Sequence, residues 1–412
     1  MRTLGWVPVA LAPLIVLPAL AAPATAASAV ATPAAARARA GDRAIATDRW
    51  MGQIYRHARG TRLTSMLIPG THDSGADGIR DRTPCRPKVI AGASPVFAAA
   101  AQANPCVAAG LARAQDQNLG EQLRGGVRYL DIRVGVPADK VISKPRKPAK
   151  DPLSVPLVLQ HNFVSHRFTK GLGQVLRFAD AHPREQIIFD IQHVDLTGDP
   201  AIDAYYLTAL DGVLHQLRGA DGGRTACQAA WSKKLVDVPD ATLGTKVPIG
   251  TAWKIKRNLL ILVPDYMPKS GCFRSREKAI ASPWPNTDIP QVSKTANKEY
   301  LAERAQRIKS GECVDADGNH WCGLFVNQQQ LTPSNERYAN CVFNDIGDEC
   351  SLRALADLVN NDVARWLTRW TRAGQPTNIQ IIDYYEHSDP SVVDRLLRLN
   401  WNRVDHRTPG LG

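Results

Sequence analysis

A single (β/α) barrel of the TIM type, carrying disulfide-bearing loop insertions, is the fold predicted for this 412-residue chain. Three observations predict it. Seven short apolar runs recur along the chain, each ending in polar residues. Amphipathic helical patterns lie between several of them, which is the strand–helix alternation of a parallel sheet. Neither G-x-G-x-x-G nor G-x-x-x-x-G-K-[ST] is present, and this removes the commonest open-sheet nucleotide folds. The length suits one barrel with insertions, and 44% hydrophobic residues supply its core.

The chain opens Met1-Arg2, then runs mostly apolar from Val7 to Ala22 before the small residues of "PATAASA". Residues 1–27 are therefore read as a secretory signal peptide. A membrane anchor fits less well, because the stretch is short, proline-interrupted and lacks a stop-transfer flank. Residues 28–44, rich in Ala and Arg, read as a disordered spacer. The barrel domain is assigned to 45–405, and the expected location is extracellular.

Within that domain the strand candidates are "SMLIP" (65–69), "RYLDIRV" (128–134), "PLVLQH" (156–161) and "QIIFDIQH" (186–193). "NLLILVPD" (258–265), "GLFVNQQ" (323–329) and "IQIIDYY" (379–385) follow, with an eighth strand expected between 266 and 300. Leu172, Val175, Leu176 and Ala179 fall at i, i+3, i+4 and i+7, one face of a helix. Leu352, Leu355, Val359, Val363, Trp366, Leu367 and Trp370 form a second stripe, whose tryptophans are read as core.

Eight cysteines without a C-x-x-C pair speak for disulfides in an exported chain, not for zinc. Spacing suggests Cys313 with Cys322, Cys341 with Cys350, and Cys85 with Cys106 across a long insertion. These are three guesses among about 105 connectivities. The net charge of +12 suits an anionic partner such as a phospholipid surface or nucleic acid, and equally keeps a secreted protein soluble. The basic run "ISKPRKPAK" (142–150) has no aromatic interleaving, so it is read as a solvated loop first, a membrane-surface contact second, and a poor nucleic-acid platform. No nucleic-acid partner is expected, and the protein is read as a monomer.

Polar residues at the C-terminal ends of barrel strands converge on one mouth. Here those ends carry His72 and Asp73, then Asp131 and Arg133, then His161-Asn162, then Asp190 and Gln192, and finally Asp383 and Tyr385. Alternation puts Asp131 with Arg133, Asp190 with Gln192, and Asp383 with Tyr385 on common faces. Any one of these has a structural explanation, an Asp131–Arg133 ion pair for example. Two histidines, four aspartates and an arginine at five strand ends point to chemistry. Histidines serve as base and acid near neutral pH, a carboxylate such as Asp383 orients one of them, and an arginine grips phosphate. That set suits cleavage of a phosphodiester by an internal hydroxyl. Ser74 lacks a G-x-S-x-G elbow, and "DADGN" (315–319) lacks the spacing of an EF-hand loop.

In this order, "IPGTHDSG", "GGVRYLDIRV", "LVLQHN", "IIFD" and "IIDYY" resemble the X domain of phosphatidylinositol-specific phospholipase C, bacterial secreted type, from about Ile45 to Arg403. The resemblance implies a distorted TIM barrel. It also implies conversion of phosphatidylinositol to diacylglycerol and a cyclic inositol phosphate. By motif, His72 resembles the base that deprotonates the inositol 2-hydroxyl, Asp383 its orienting carboxylate, and His161 the acid on the leaving group. Arg133 resembles the arginine that bacterial members use where eukaryotic members hold calcium, and Asp73 and Asp131 match acidic positions supporting the acid and the arginine. Where simpler members carry an inositol-gripping lysine, this chain reads Gln192-His193. Gln192, Asp190 and Tyr385 are the head-group candidates. The expectation is an enzyme without metal or other cofactor, calcium being the alternative because Asn162 follows His161 as in calcium-using members. A non-catalytic barrel binding inositol lipids or glycans is the rival from another class.

Overall fold

The computed structural model describes residues 45–404 apart from Pro145, Lys269, 345–348 and Pro390. The expected signal peptide (1–27) and spacer (28–44) lie outside the described residues.

Ten strands build one curled, mostly parallel sheet. They are β1 (Ile68–Thr71), β2 (Tyr129–Gly135), β3 (Val158–His161), β4 (Phe163–Arg167), β5 (Ile187–Asp195), β6 (Leu259–Val263), β7 (Arg274–Ser275), β8 (Ile280–Ala281), β9 (Leu324–Gln328) and β10 (Ile379–Ile382). Their order is β7-β6-β5-β2-β1-β10-β9-β8, and every neighbour in that path is parallel. Strands β1, β6, β9 and β10 are buried at every position, as expected when helices cover one face and a filled barrel the other, and the polar Thr71, Asn327, Gln328 and Gln380 are buried with them. The two edge strands are two residues long and are joined by the one-turn helix Arg276–Ala279, so the barrel is open at that point. The eighth strand expected between 266 and 300 is this pair of stubs.

One strand departs from its expected position. "PLVLQH" is not a parallel barrel stave. β3 pairs antiparallel with the end of β2, through Val134–Leu159 and Gly135–Val158, and turns straight back into β4. The single left-handed residue Asn162, at φ 61°, makes that reversal. A parallel strand needs a crossover of a dozen or more residues, whereas an antiparallel one needs only such a turn.

The helix stripes bury as their spacing requires. Leu172, Val175, Leu176 and Ala179 are buried in the helix Phe168–Ala181. All seven residues of the second stripe, both tryptophans included, are buried in the helix Leu352–Arg372, which Ser351 caps by accepting the Ala354 amide. All eight cysteines are paired: Cys85–Cys106, Cys313–Cys322, Cys341–Cys350 and Cys227–Cys272. The basic loop is less free than its composition suggests, since the Ile142 amide donates to the Tyr206 hydroxyl at 2.9 Å.

Candidate active site

The stretch "IPGTHDSG" is β1, wedged between β2 and β10, with the turn that follows it. A Cβ on Gly70 would lie 2.9 Å from the side chains of Ile381 and Tyr129, so only glycine lets the three strands close up here. Past Thr71 the chain turns. Asp73 takes φ 41°, which a short carboxylate side chain tolerates. Ser74 is fully buried, its hydroxyl donates to the Thr71 carbonyl at 3.0 Å, and its amide donates to the Asp131 carbonyl at 2.9 Å. Its role is to hold the turn.

That turn delivers His72 against Asp383 at the end of β10. His72 Nδ1 lies 2.8 Å from Asp383 Oδ1, while its Nε2 lies 3.1 Å from Asp73 Oδ2 and 3.1 Å from Arg133 Nη2. Nδ1–H donates to Asp383, so Nε2 is the exchangeable position. When neutral it accepts from Arg133, and when protonated it donates to Asp73. Burial pushes the imidazole down, but the Asp73 and Asp383 carboxylates outweigh it and raise His72 to about 9, with Arg133 opposing. Burial pushes Asp383 up while His72 pulls it back.

Asp73 is the hub. Its Oδ2 also lies 3.0 Å from His161 Nε2, and its Oδ1 lies 2.5 Å from Arg133 Nε. Burial alone would raise this carboxyl, yet Arg133, His161 and His72 together hold it well below the usual carboxylate range. The His161 ring has its other nitrogen, Nδ1, fixed 2.8 Å from the Ala112 carbonyl. With Nδ1–H committed there, a second proton on Nε2 sits between Asp73 and the mouth. The two imidazole rings stand edge to face with centroids 5.6 Å apart. Asp131 accepts the Asp73 amide at 3.2 Å and lies 3.9 Å from Arg133 Nη2.

Thus His72, His161, Asp383, Arg133, Asp73 and Asp131, spread over more than 300 residues of sequence, form one constellation. Asp190 is the ladder partner of Asp131 in β5, bonded by the Tyr129 hydroxyl at 2.7 Å and paired with Arg276 at 3.1 Å. Burial pushes it up to about 6, against Arg276 and Tyr129. Arg276, on the turn that joins the two sheet edges, had no strand signal to announce it.

The alternation expected at two head-group candidates does not hold. The register of β5 slips by one residue beside Ile132 and Arg133, so His193, not Gln192, is the ladder partner of Arg133. Asp190 and Gln192 therefore do not share a face by simple alternation. Tyr385 does not join Asp383 either. β10 ends at Ile382, and Tyr384 takes φ 43°, which breaks the alternation. The Tyr385 hydroxyl instead donates to Gln117 Oε1 at 2.5 Å and packs on Gly125.

His72, Asp73 and Asp131 offer ligand atoms within 4.8 Å of one another, the spacing of a metal site. Arg133 already contacts both carboxylates, so a divalent cation there would sit against a fixed guanidinium charge and does not fit. The group Asp116, Glu386 and His387 is flanked by Arg113 and Arg353, and in the third group both cysteines are disulfide-bonded.

No protein-family model matches the chain. It is 22% identical over 361 residues to the PI-PLC X domain-containing protein 3 of Danio rerio, covering 85% of this chain and 92% of that protein. The Homo sapiens protein of the same name is 22% identical over 359 residues, with 85% and 93% covered. Among solved structures, the phosphatidylinositol-specific phospholipase C of Listeria monocytogenes aligns with a TM-score of 0.51 at 17% identity, over 86% of this chain and 99% of that one. The fold is accordingly a barrel of that type. The relatives support the X-domain family that the motifs indicate.

Proposed function

We propose that the protein is a phosphodiesterase that cleaves phosphatidylinositol, or a related inositol phospholipid, to diacylglycerol and a cyclic inositol phosphate. One observation carries this reading: Asp73 joins both imidazoles and the guanidinium, while Asp383 backs His72 from the other side. In the first step His72 Nε2 takes the proton of the inositol 2-hydroxyl. That oxygen attacks phosphorus and the bond to the glycerol oxygen breaks. His161 Nε2 gives the leaving oxygen its proton, and the products are diacylglycerol and the cyclic phosphate. In the second, slower step the roles reverse as water opens the ring. Asp383 holds the tautomer of His72, and Asp73, 3.0 Å from Nε2 of His161, orients that ring. Arg133 leaves Asp73 to grip the phosphate, supplying the fixed charge that calcium would otherwise provide.

The names of the relatives and the mouth position of the constellation support this substrate class. Asp190 is proposed to face the head group from β5, and Gln192 to approach it from past the register slip, off the face that alternation assigned. Tyr385 is not, because its hydroxyl is committed to Gln117. Full pairing of eight cysteines supports an exported protein, and we propose that it works as a monomer at a membrane surface. Among the described residues no helix is long and apolar enough to cross a membrane.

The test is phosphorus NMR of phosphatidylinositol vesicles with wild type, His72→Ala and His161→Ala, each with and without chelator. The cyclic phosphate resonance is expected with wild type in both conditions, and its rate of appearance should fall at least about 10²-fold in each variant. Substantial release by both variants would reject the assignment. Loss of release in chelator, restored by calcium, would reject the role given to Arg133.

A further inference from the structure

The insertion between β1 and β2 does more than surround the mouth. The last rung between β1 and β10 is the His72 amide donating to the Ile382 carbonyl at 3.2 Å. Beyond it Asp73 and Tyr384 both turn left-handed, so the strands part where His72 and Asp383 must meet. Backbone pairing cannot hold that junction.

Gln115, fully buried, occupies it. Its Nε2 donates to the His72 carbonyl at 2.9 Å and to the Ile382 carbonyl at 3.1 Å, spending both amide protons on the two strands. The residues just before Gln115 serve the same ends. The Ala114 carbonyl accepts the Tyr384 amide at 2.9 Å, and the Arg113 carbonyl accepts the Tyr384 hydroxyl at 2.5 Å. The Ala112 carbonyl takes Nδ1 of His161. Four consecutive residues therefore reach the ends of β1, β3 and β10.

From outside, the segment is locked by charge. Arg113 pairs with Asp81 at 2.6 Å and with Asp116 at 3.0 Å. Arg353, on the helix Leu352–Arg372, pairs with Asp116 at 2.5 Å and lies 2.9 Å from His387 Nε2. A loop that only filled space would not need two amide protons aimed at two strand ends.

We propose that Gln115 is a positioning residue: by bridging the His72 and Ile382 carbonyls, it fixes the distance and angle between His72 and Asp383. This rests on the reading of His72 as the base. Gln115 touches no substrate. Without it the strands splay, the His72–Asp383 bond lengthens, and the base loses alignment while the phosphate clamp and the mouth stay as they are.

The experiment uses Gln115→Met, similar in length but without donors, with two readouts. Steady-state cleavage of phosphatidylinositol in vesicles should show kcat reduced about 10²-fold with KM within about twofold. NMR titration of His72 should show its pKa moving from about 9 toward the ordinary histidine value as Asp383 recedes. Wild-type kcat together with a wild-type titration would overturn the proposal, as would a change confined to KM. Should Gln115→Met fail to fold, Gln115→Asn keeps the site polar but withdraws the donors by one methylene. The same split is expected of it, and wild-type behaviour overturns the proposal equally. The titration needs no substrate. If wild type cleaves no phosphatidylinositol, the functional reading fails while the coupling of Gln115 to His72 is still measured.

Discussion

β2 has an arginine near each end, and the two are built differently. Arg128, just ahead of the strand, is fully buried and places all five of its N–H donors. Two go to Glu185 at 3.0 and 2.7 Å, and the others go to the carbonyls of Leu123, Val127 and Thr47. Glu185 in turn accepts the amides of Met51 and Gly52. Arg133, five residues on, lies 2.5 Å from Asp73, yet its Nε has no aligned acceptor, and both Asp73 oxygens lack an aligned donor. The lower ion pair is finished. The upper one is a set of charges at contact distance with bonding capacity left over. A buried charge pair is costly unless its hydrogen bonds are complete, so the difference separates an end that maintains the fold from an end that can exchange partners with a substrate.

Crossing the two arginines gives the largest expected effects. Arg128→Met leaves Glu185 buried without its partner and should cost about 3–5 kcal/mol in chemical unfolding, while the folded fraction keeps near-normal kcat. Arg133→Met leaves Asp73 with two imidazoles and should cost well under that. Its rate of cyclic phosphate release should fall about 10²–10³-fold, as for loss of a charged donor at the reacting centre. Equal stability losses in the two variants would erase the contrast.

Sequence made the upper end legible because catalysis needs particular chemistry at strand ends. His72, His161, Arg133 and Asp383 carry that chemistry in their identity, and apolar runs mark the strands. Three things were not legible. The helix Pro290–Ser310 has no apolar stripe, because the face it buries is Ser293, Asn297, Leu301 and Arg304, packed on polar groups of β9. The slip in β5 beside Arg133 depends on its neighbour's geometry and leaves no local pattern. Gln115 is one glutamine in "ARAQDQ", and its use is set by two carbonyls, one 43 and the other 267 residues away.

The second way to probe the comparison is pH, and it concerns the upper end. His72 in the folded protein is raised to about 9, above its ordinary value, so its protonated form stabilises the fold. That contribution is fully present below about pH 6.5 and is lost as pH rises through about 9. The shift corresponds to about 3 kcal/mol at most. Activity should respond the other way to this group, since a base must be unprotonated: the limb of kcat/KM that reports His72 should bend near 9. Unfolding of wild type and His72→Gln at pH 6 and pH 10 reads the first trend, because the gap between them should narrow at pH 10. A constant gap, or a rate that peaks near pH 6, would contradict the electrostatic account of the upper end.

The smallest expected effect concerns backbone strain, since three of the five non-glycine residues with positive φ among the described residues lie at the same end. Asp73, Asn162 and Tyr384 directly follow His72, His161 and Asp383, and all three have positive φ, at 41°, 61° and 43°. Each left-handed residue stops a strand just as its polar side chain is delivered, and for a bulky residue such as Tyr384 the conformation costs about 1–3 kcal/mol. Asn162 tests the point with least disturbance, because its side chain is only half-buried and its work is the turn. Asn162→Gly accepts φ 61° freely and should leave stability within about 0.5 kcal/mol and activity within a few-fold. Asn162→Val disfavours the same φ and should cost about 1–2 kcal/mol. If the turn exists to aim His161 at Asp73, the valine variant should also lose kcat by more than its stability loss explains. Were valine to cost stability alone, the strained residues would be fold punctuation, and the upper end would differ from the lower only in its unfinished bonds.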